Sequence, residues 1–437
     1  MTKKTIAALG VVACAALGPA AGAQTQDADT TQITAGAVGW SYGCDVARHG
    51  RAVAFTSRAT NLVAGDTNGK SDVFLWTVDG TQRVSVTSDE KQSSTGSFEA
   101  SISDDGTRVA FTANRYRMQE PHFRPQGIFV RDAAAGLTTR VNVAVGGRRP
   151  NHRLSGRPAI SGNGKHVAFY AAASNMVAGT NDTGWINAFV RSLDRGVTES
   201  VSLARDGDET RGTAYPDDLS PDGRFAVFMA DGRDIVRGDH NRAFDVFRHD
   251  RKTDRTIRVS VTSDGEEGGE KKFTGSPAAS ANGRYVSFES RASLDPAYPT
   301  DERAIYLHDV VAGTTKLVSR GSEGPGNGPS DEPRISDDGR YVAFVSIADN
   351  LVPDDTNANY YPRAFGIDGF VRDVVAGKTF LVTVGDAGQQ ADGDTNDFDL
   401  SPDGDYVCWS SDATNLTVDA NPSSDVFLRG QLNLGEE

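Results

Sequence analysis

The sequence is poor in the residue types that usually mark a catalytic or metal centre. It has only three cysteines, seven histidines and four tryptophans among 437 residues. No C-x-x-C pair and no H-E-x-x-H stretch occurs, which excludes two metal sites that sequence alone identifies well. Lysine and arginine total 45 against 59 aspartates and glutamates, so the formal net charge is −14. Because such an acidic chain repels nucleic acid, no nucleic-acid partner is expected.

Long hydrophobic runs are missing after the N-terminus, and the one at the N-terminus is short. The first 23 residues combine two lysines, an apolar segment (Ile6–Leu17) and a small-x-small end (Ala21–Ala23), as export signals do. Gly18 and Pro19 end the apolar run before the about 20 residues that a membrane anchor needs. We therefore expect cleavage after Ala23 and a secreted or periplasmic protein without a transmembrane anchor. A lipoprotein cleaved before Cys14, in V-V-A-C, is the alternative.

Repetition is what the chain has in abundance. Seven segments share a glycine followed by a V-A-F-like triplet, and their glycines, spaced 56 to 65 residues apart, are Gly50, Gly106, Gly164, Gly223, Gly283, Gly339 and Gly404. Asp-Gly or Asn-Gly suits a tight hairpin, and the alternation of the triplet suits a β-strand packed on both faces. With D-V-F-L-W (Asp72–Trp76) and R-V-S-V (Arg83–Val86) as further strands, each repeat predicts four antiparallel strands, A to D. Repeats of this length are typical of propellers and solenoids.

The seventh repeat lacks a good strand D, and the missing strand is found at the other end of the chain. Only Q-L-N-L-G-E-E follows Asp425–Gly430, whereas Thr30–Gly39 precedes the first strand A as a strand D would. We predict an all-β, seven-bladed β-propeller of four-stranded antiparallel blades, closed by this N-terminal strand. The expected boundaries are a signal peptide at 1–23, a flexible segment at 24–30, the propeller at 31–430 and a tail at 431–437.

The repeated phrase resembles that of a known family. S-P-D-G-x-x-V-A-F and N-L-V-A-G-D-T-N-G-K-S-D-V-F (Asn61–Phe74) are similar to the repeats of TolB-like, WD40-related β-propellers of exported bacterial proteins. The resemblance implies the propeller fold over nearly the whole mature chain. TolB itself has an extra N-terminal domain and six blades, so its role in the Tol–Pal system is not transferred. Since the repeat also occurs in lyases, peptidase propeller domains and binding proteins, it names no activity.

Two cysteines remain in the expected mature chain. Cys44 lies in strand A of the first repeat and Cys408 in strand B of the seventh. Ring closure makes these repeats neighbours, and an exported protein permits disulfides. The sequence leaves open whether the two form a disulfide across the closing seam or are two small buried residues.

Acidic residues recur in the loop between strands B and C. The pattern D-x-N-x-x-x-D occurs three times, at Asp66, Asn68, Asp72, Asp239, Asn241, Asp245, Asp419, Asn421 and Asp425. Oxygen ligands at alternate positions suit calcium, although the distal glutamate of an EF-hand is missing. The same residue types form Asx-turns that satisfy loop backbone groups. Calcium is therefore the only candidate cofactor, with a purely structural role of these residues as the alternative.

The second repeat departs from this pattern. Its B–C loop and the connection that follows contain one acid, Glu120, and seven arginines: Arg115, Arg117, Arg124, Arg148, Arg149, Arg153 and Arg157. Arginine suits bidentate binding of carboxylate, sulfate or phosphate, so the cluster predicts an anion-binding face. The alternative is that these arginines pair with the acidic loops of neighbouring blades and hold the ring together.

The function that the sequence favours is an exported binding module, expected to be a monomer, with a protein or an acidic glycan as its partner. A lyase or hydrolase acting on acidic glycans at the same face is the first alternative. Such an enzyme needs a positive group beside a proton-transferring side chain, for which His122, His152 and Tyr116 are the candidates. A calcium-stabilised structural protein of the cell envelope is the second alternative.

Overall fold

The computed structural model describes residues 29–113, 127–152, 154–179, 184–270, 272–300, 302–353, 355–356, 366–418, 423–432 and 434. The predicted export signal and most of the segment 24–30 lie outside these residues and stay predictions. Apart from two short 3-10 turns, at Arg48–Gly50 and Val145–Gly147, the regular structure of the described residues is β-strand. None of the described residues forms a helix with the length and apolar character needed to cross a membrane.

Seven antiparallel sheets of four strands form the blades of a propeller. Strand A, the innermost, is β2 (Ser41–Val46), β6 (Ser97–Ile102), β10 (Ser155–Ile160), β14 (Ala214–Leu219), β18 (Thr274–Ala279), β22 (Ser330–Ile335) and β26 (Thr395–Leu400). Strand B is β3 (Ala52–Ser57), β7 (Arg108–Ala113), β11 (His166–Ala171), β15 (Phe225–Ala230), β19 (Tyr285–Ser290), β23 (Tyr341–Ser346) and β27 (Val407–Ser411). Strand C is β4 (Asp72–Thr77), β8 (Gly127–Asp132), β12 (Asn187–Ser192), β16 (Asp245–Asp250), β20 (Ala304–Asp309), β24 (Asp368–Asp373) and β28 (Asp425–Arg429). Strand D is β5 (Gly80–Arg83), β9 (Leu137–Arg140), β13 (Val197–Ser200), β17 (Arg255–Arg258), β21 (Thr314–Leu317), β25 (Lys378–Leu381) and, for blade seven, β1 (Thr30–Gln32).

The ring closes as the sequence predicts. Strand β1 pairs antiparallel with β28, with Thr30 opposite Arg429, and thereby completes blade seven. The A strands contact one another in order around the axis, and β2 contacts β26 across the seam. At this seam Cys44 and Cys408 are joined in a disulfide, with Cα atoms 6.3 Å apart. The predicted seven-bladed propeller with an N-terminal closing strand is confirmed.

The repeated phrases form the cores of the blades. In blade six, Phe344 of strand B lies directly opposite Phe370 of strand C, and the two rings stack with centroids 5.8 Å apart. A matching aromatic pair occurs in each of the seven blades, with centroids 5.4 to 6.1 Å apart. Ala343, on the other face of the strand, packs toward Phe398 of blade seven. The triplet therefore fills the interior of its own blade and the interface with the next.

The glycine that anchors each repeat is required for two reasons. Gly404 has a φ of +81°, which side chains rarely tolerate. A Cβ atom at this position would also lie 2.7 Å from Cδ2 of Tyr341 in the preceding blade. In blades four to seven, the aromatic residue two positions after the anchor glycine thus packs against the anchor glycine of the next blade around the ring.

One predicted strand boundary is wrong. The alternating segment Arg83–Val86 was expected to be strand D of blade one, but that strand is Gly80–Arg83. The tight turn after Thr77 allows pairing to begin at once, with Thr77 opposite Gly80. The amide of Val84 donates instead to the Val73 carbonyl at 2.9 Å. The alternation of the segment reflects the burial of Val84 and Val86 below the blade rather than ladder pairing.

Candidate functional site

The side chains that face the propeller axis differ from blade to blade. In six blades the third residue of strand A has a positive φ, between +46° and +64°, and in five of these it is not glycine. Each lies in a bulge of strand A, and in blade four the bulge falls at Asp217. We call the resulting set the mouth ring, which consists of Glu99, Arg157, Asp217, Ser276, Glu332 and Asp397, and it lines a cavity of about 290 Å³. Strained backbone of this kind is concentrated at functional sites.

A second ring of axial side chains lies deeper. We call it the waist ring; it consists of the polar side chains among the fifth residues of strand A, which are Asp45, Ser101, Asp218, Arg334 and Asp399. Asp45, Asp218 and Asp399 each accept the backbone N–H of the adjoining blade at 2.9 Å. Arg334 donates to Asp399 at 3.1 Å. The waist ring therefore ties neighbouring blades together, and its cavity of about 230 Å³ is continuous with the mouth ring through shared residues such as Arg334.

The lower end of this space is crossed by one arginine. Arg48, in the A–B turn of blade one, donates to Asp104 of blade two at 3.0 Å. The same guanidinium group pairs with Asp337 of blade six. Because these two carboxylates belong to different blades, Arg48 closes the axial space from below. The result is a cup that opens on the face carrying the B–C loops, and we call it the axial cup.

The axial cup opens into a wider funnel above blades five to seven. This cavity of about 760 Å³ shares Ser276, Glu332 and Asp397 with the mouth ring. Trp40 stands at its rim with 65% of the residue exposed. Glu289 and Asp331 also line this cavity.

Glu289 and Asp331 form a carboxyl pair across the interface of blades five and six. Arg303 donates to Asp331 at 2.6 Å, and Ser276 donates to Glu289 at 3.2 Å. Burial and the neighbouring Asp331 raise the pKa of Glu289 to about 8. Glu289 is therefore protonated at neutral pH and can donate a hydrogen bond, while Asp331 is paired with Arg303.

Negative charge in the axial cup is only partly neutralised. Burial raises the pKa of Asp217 to about 7 and that of Asp218 to about 6, despite the arginines nearby. Burial and the Asp399 carboxylate raise the pKa of Asp45 well above its ordinary value. One oxygen of Asp217 is buried without a hydrogen-bond partner among the described residues. The pKa values of these carboxyl groups are raised because burial disfavours their charged forms more than the nearby arginines stabilise them.

The opposite side of the same face is aromatic. Tyr170 meets Tyr215 edge-on at 5.2 Å, Tyr215 stacks on Phe244 at 6.4 Å, and Phe244 lies 6.2 Å from Phe273. All four side chains are half-buried. Arg157 of the mouth ring lies over the Tyr215 ring at 5.4 Å, so the aromatic row reaches the edge of the axial cup.

The predicted arginine cluster falls largely outside the described residues, which omit Arg115, Arg117, Arg124, Arg153, Tyr116 and His122. Arg148 and Arg149 are exposed, and neither forms an ion pair with another described residue. Arg157 instead belongs to the mouth ring and pairs with Asp217 at 3.4 Å. His152 is exposed and accepts the Leu154 amide at 3.2 Å. The anion-binding face stays a prediction.

The acidic loops provide groups that could hold a metal ion, but the loop of blade one is satisfied by the protein itself. Asn68 donates to Asp72 at 2.7 Å, and Gln92 donates to Asp66 at 2.7 Å. Asp72 also accepts from Ser85 at 2.6 Å. In blade seven Asp425 accepts from Thr34 at 2.6 Å, and Asp419 and Asn421 lie outside the described residues. In blade four, Asp239, Asp245 and Glu267 each place an oxygen within 4.8 Å of the others, and His49, Asp403 and Asp405 form a similar exposed group.

One further motif has no catalytic geometry. Gly39–Gly43 reads G-W-S-Y-G, which matches the G-x-S-x-G motif of the nucleophile elbow in serine hydrolases. Ser41 lies in strand β2 with no exposed surface, and its hydroxyl is hydrogen-bonded to that of Ser57 at 2.9 Å. A nucleophile elbow requires an exposed serine at a strand-to-helix turn, so this serine is not a nucleophile of that kind.

Comparison with protein-family models finds no match for this chain. Dipeptidyl-peptidase 5 of Aspergillus oryzae is 27% identical over 180 residues, which make up 39% of this chain and 24% of that protein. The chain thus matches about a quarter of the length of its curated relatives.

An oligogalacturonate lyase solved in complex with manganese has a TM-score of 0.54 at 12% identity and covers 92% of this chain and 96% of its own. TolB from Acinetobacter baumannii has a TM-score of 0.41 at 15% identity and covers 76% of this chain and 63% of its own. The prediction of a β-propeller is confirmed for the fold.

Proposed function

We propose that the protein is a binding module that takes a positively charged segment of a protein partner into the axial cup. The observation that supports this most is the charge of the side chains around the axis. The mouth ring contributes four carboxyl groups and one arginine, Arg157. The waist ring adds three carboxyl groups and one arginine, Arg334. A lysine or arginine side chain entering from above would meet this excess of carboxyl groups in a partly desolvated space, where charge pairing is strongest.

The raised pKa values of two axial carboxyl groups add a thermodynamic signature to this proposal. Asp217 and Asp218 hold their protons more tightly than an exposed aspartate does, since their burial is not offset by enough positive charge. A bound cation would lower their pKa values again and release protons. We therefore expect binding to strengthen as the pH rises from about 5 to 7.5, whereas a site without carboxyl groups titrating in this range would show no such dependence.

The test uses a short lysine-rich peptide and the same peptide with its lysines acetylated. The mature protein should bind the first peptide and not the second, with proton release measured by calorimetry in buffers of different ionisation enthalpy. The double variant E332Q/D397N should weaken binding by about tenfold or more, equivalent to about 1.4 kcal/mol. The control is D79N, which removes an exposed carboxylate from the C–D turn of blade one. Equal binding of both peptides, or an equal loss in the D79N variant, would contradict the proposal.

A second candidate function concerns the arginine-rich face. Arg148 and Arg149 are exposed without an ion pair to another described residue, which supports anion binding there, and a solved structure with this fold is an oligogalacturonate lyase. An acidic glycan would be repelled by the axial cup, so binding or cleavage of one would depend on this outer face. The variant R148A/R149A should then lose glycan binding, or the ultraviolet absorbance of unsaturated products if cleavage occurs. Retention of both by the variant would contradict this candidate.

We further propose that the protein acts outside the cytoplasm. The N-terminal sequence has the composition of an export signal, and the Cys44–Cys408 disulfide suits an oxidising compartment. N-terminal sequencing of the protein recovered from culture medium or a periplasmic extract tests this, with Gln24 as the expected first residue. An intact Met1 would contradict it.

A further inference from the structure

Three B–C loops share the same acidic positions, and two of them are closed by a glutamine. In blade one, Gln92 donates from a single amide nitrogen to Asp66 at 2.7 Å and to Asp72 at 3.3 Å. In blade six, the corresponding Gln390 donates to Asp355 at 2.9 Å and to Asp368 at 3.0 Å. The amide group lies between two carboxylates, where a cation would otherwise be needed.

Blade four has a glutamate at this position. Glu267 forms the same isolated bridge, with Val261, that Gln92 forms with Val86 and Gln390 with Val384. Its side chain cannot donate to Asp239 and Asp245. One oxygen of each of the three carboxyl groups lies within 4.8 Å of the others. The exchange of an amide for a carboxylate thus converts a closed loop into a group of three acids.

Asp239 is left without a hydrogen bond in this group. It is 5% exposed, and neither of its carboxylate oxygens has a hydrogen-bond partner among the residues that the structure describes. The nearest positive group is Arg258, which lies 3.8 Å from Asp239 and 3.4 Å from Asp245 and donates to Glu267 at 2.9 Å. A buried carboxylate without a hydrogen bond is costly and calls for a further partner.

We propose that the B–C loop of blade four binds a hard divalent cation between Asp239, Asp245 and Glu267, and that the loops of blades one and six do not. Three carboxylates with Arg258 leave two negative charges, which one divalent cation would neutralise. Carboxylate oxygens without nitrogen or sulfur ligands are typical of calcium, magnesium or manganese sites. Arg258 would remain paired with Glu267 at the edge of the site.

The position of this loop connects the cation to the binding face. Phe244, in the middle of the aromatic row, directly precedes Asp245 and follows Asn241, whose amide donates to Asp245 at 2.9 Å. A cation held by Asp239 and Asp245 would fix the segment that carries Phe244. The inference does not depend on the nature of the ligand of the axial cup, because none of the three carboxylates faces that space.

The test is a calorimetric titration of the chelator-treated mature protein with calcium, magnesium and manganese chlorides in separate experiments. We expect one site per chain, with a dissociation constant for calcium of about 10⁻⁴ to 10⁻³ M, as in extracellular modules. The variant E267Q should weaken binding at least tenfold and remain folded, since glutamine is the residue that blades one and six have. The control D403N removes a carboxylate from the exposed group with His49 and should leave the titration unchanged.

The reverse exchange sharpens the test. The variant Q92E gives blade one the three carboxylates of blade four, and we expect the number of sites to rise from one to two. Three outcomes would overturn the proposal: no binding of any of the three metals, binding that E267Q leaves intact, or binding that D403N abolishes. If the number of sites in Q92E is unchanged, a glutamate in place of this glutamine is not what makes a loop bind a cation. Each result is independent of peptide binding, so failure here and failure of the axial-cup proposal are distinguishable.

Discussion

The blade interiors have the same residue types in every blade, whereas the residues that face the axis differ from blade to blade, although the two regions lie a few residues apart on neighbouring strands. In the interiors the same residue types recur in all seven blades, as in the aromatic pairs of strands B and C. At the axis, the third residue of strand A is glycine, glutamate, arginine, proline, serine or aspartate, depending on the blade. The interiors are dry and close-packed, whereas the axial side chains face open space. Repetition therefore marks the scaffold, and variation within a repeated frame marks the candidate site.

The energetics of the two regions should differ in the same way. A blade core stabilises the fold in proportion to the apolar surface area that it buries. The carboxyl groups of the axial cup are buried without full compensation, so they are kept at the expense of stability. Substitutions in the first region should lower stability without touching a binding surface, and substitutions in the second should do the reverse.

The largest effect is expected from the core. The variant F344A removes a ring with no exposed surface that stacks on Phe370 and packs beside Ile305 of the neighbouring blade. Loss of such a ring costs about 3–5 kcal/mol because transfer and cavity effects add. Guanidinium unfolding followed by circular dichroism measures it. The axial-cup variant D217N is expected not to lose stability, so an equal loss in F344A and D217N would remove the contrast between the two regions.

Removal of the disulfide tests whether Cys44, which lines the axial cup, serves the scaffold or the binding site. Cys44 lines the axial cup, yet its partner Cys408 is in the core of blade seven. The variant C44A/C408A should lose about 2–5 kcal/mol, because the closing seam is no longer constrained in the unfolded chain. Peptide binding should persist under conditions in which the variant is fully folded. If binding is lost while the fold is retained, Cys44 belongs to the site instead.

The sequence predicts the scaffold well and the site poorly, for a physical reason. Hairpin glycines and V-A-F triplets are local signals, since each predicts a turn or a strand from residues that are adjacent in the sequence. The mouth ring is assembled from one residue per blade, so Glu99 and Glu332 are 233 positions apart in the sequence and give no local pattern. Aligning the repeats and asking which positions vary would have found it. The arginines of the second repeat form a local pattern because they lie close together in the sequence, whereas the charged residues of the axis come from different blades and form none.

The pH dependence of stability offers a smaller and more specific effect. The pKa of Asp217 is about 7 in the folded protein, above the about 3.9 of an unfolded aspartate. The folded state therefore binds the extra proton, and stability falls as the pH rises from about 4 to 7. The variant D217N removes this contribution and should gain about 1–2 kcal/mol relative to the native protein at pH 7.5, where Arg157 offsets part of the cost. Parallel pH profiles of the two proteins would contradict the assignment.

The smallest effect is expected from a feature that is repeated but exposed. The residue after the anchor glycine pairs with the last residue of strand C in several blades, as Arg284 does with Asp309 at 2.7 Å. This hydrogen bond lowers the pKa of Asp309 to about 2, so its contribution is present above the unfolded pKa and is lost as the pH falls toward 2. Water screens the exposed guanidinium, and D309N should shift the unfolding midpoint too little to resolve in ordinary salt. A large shift would show that the repeated ion pairs at the surface stabilise the fold as much as the repeated residues of the core do. Only the buried carboxyl groups of the axis would then distinguish the two regions.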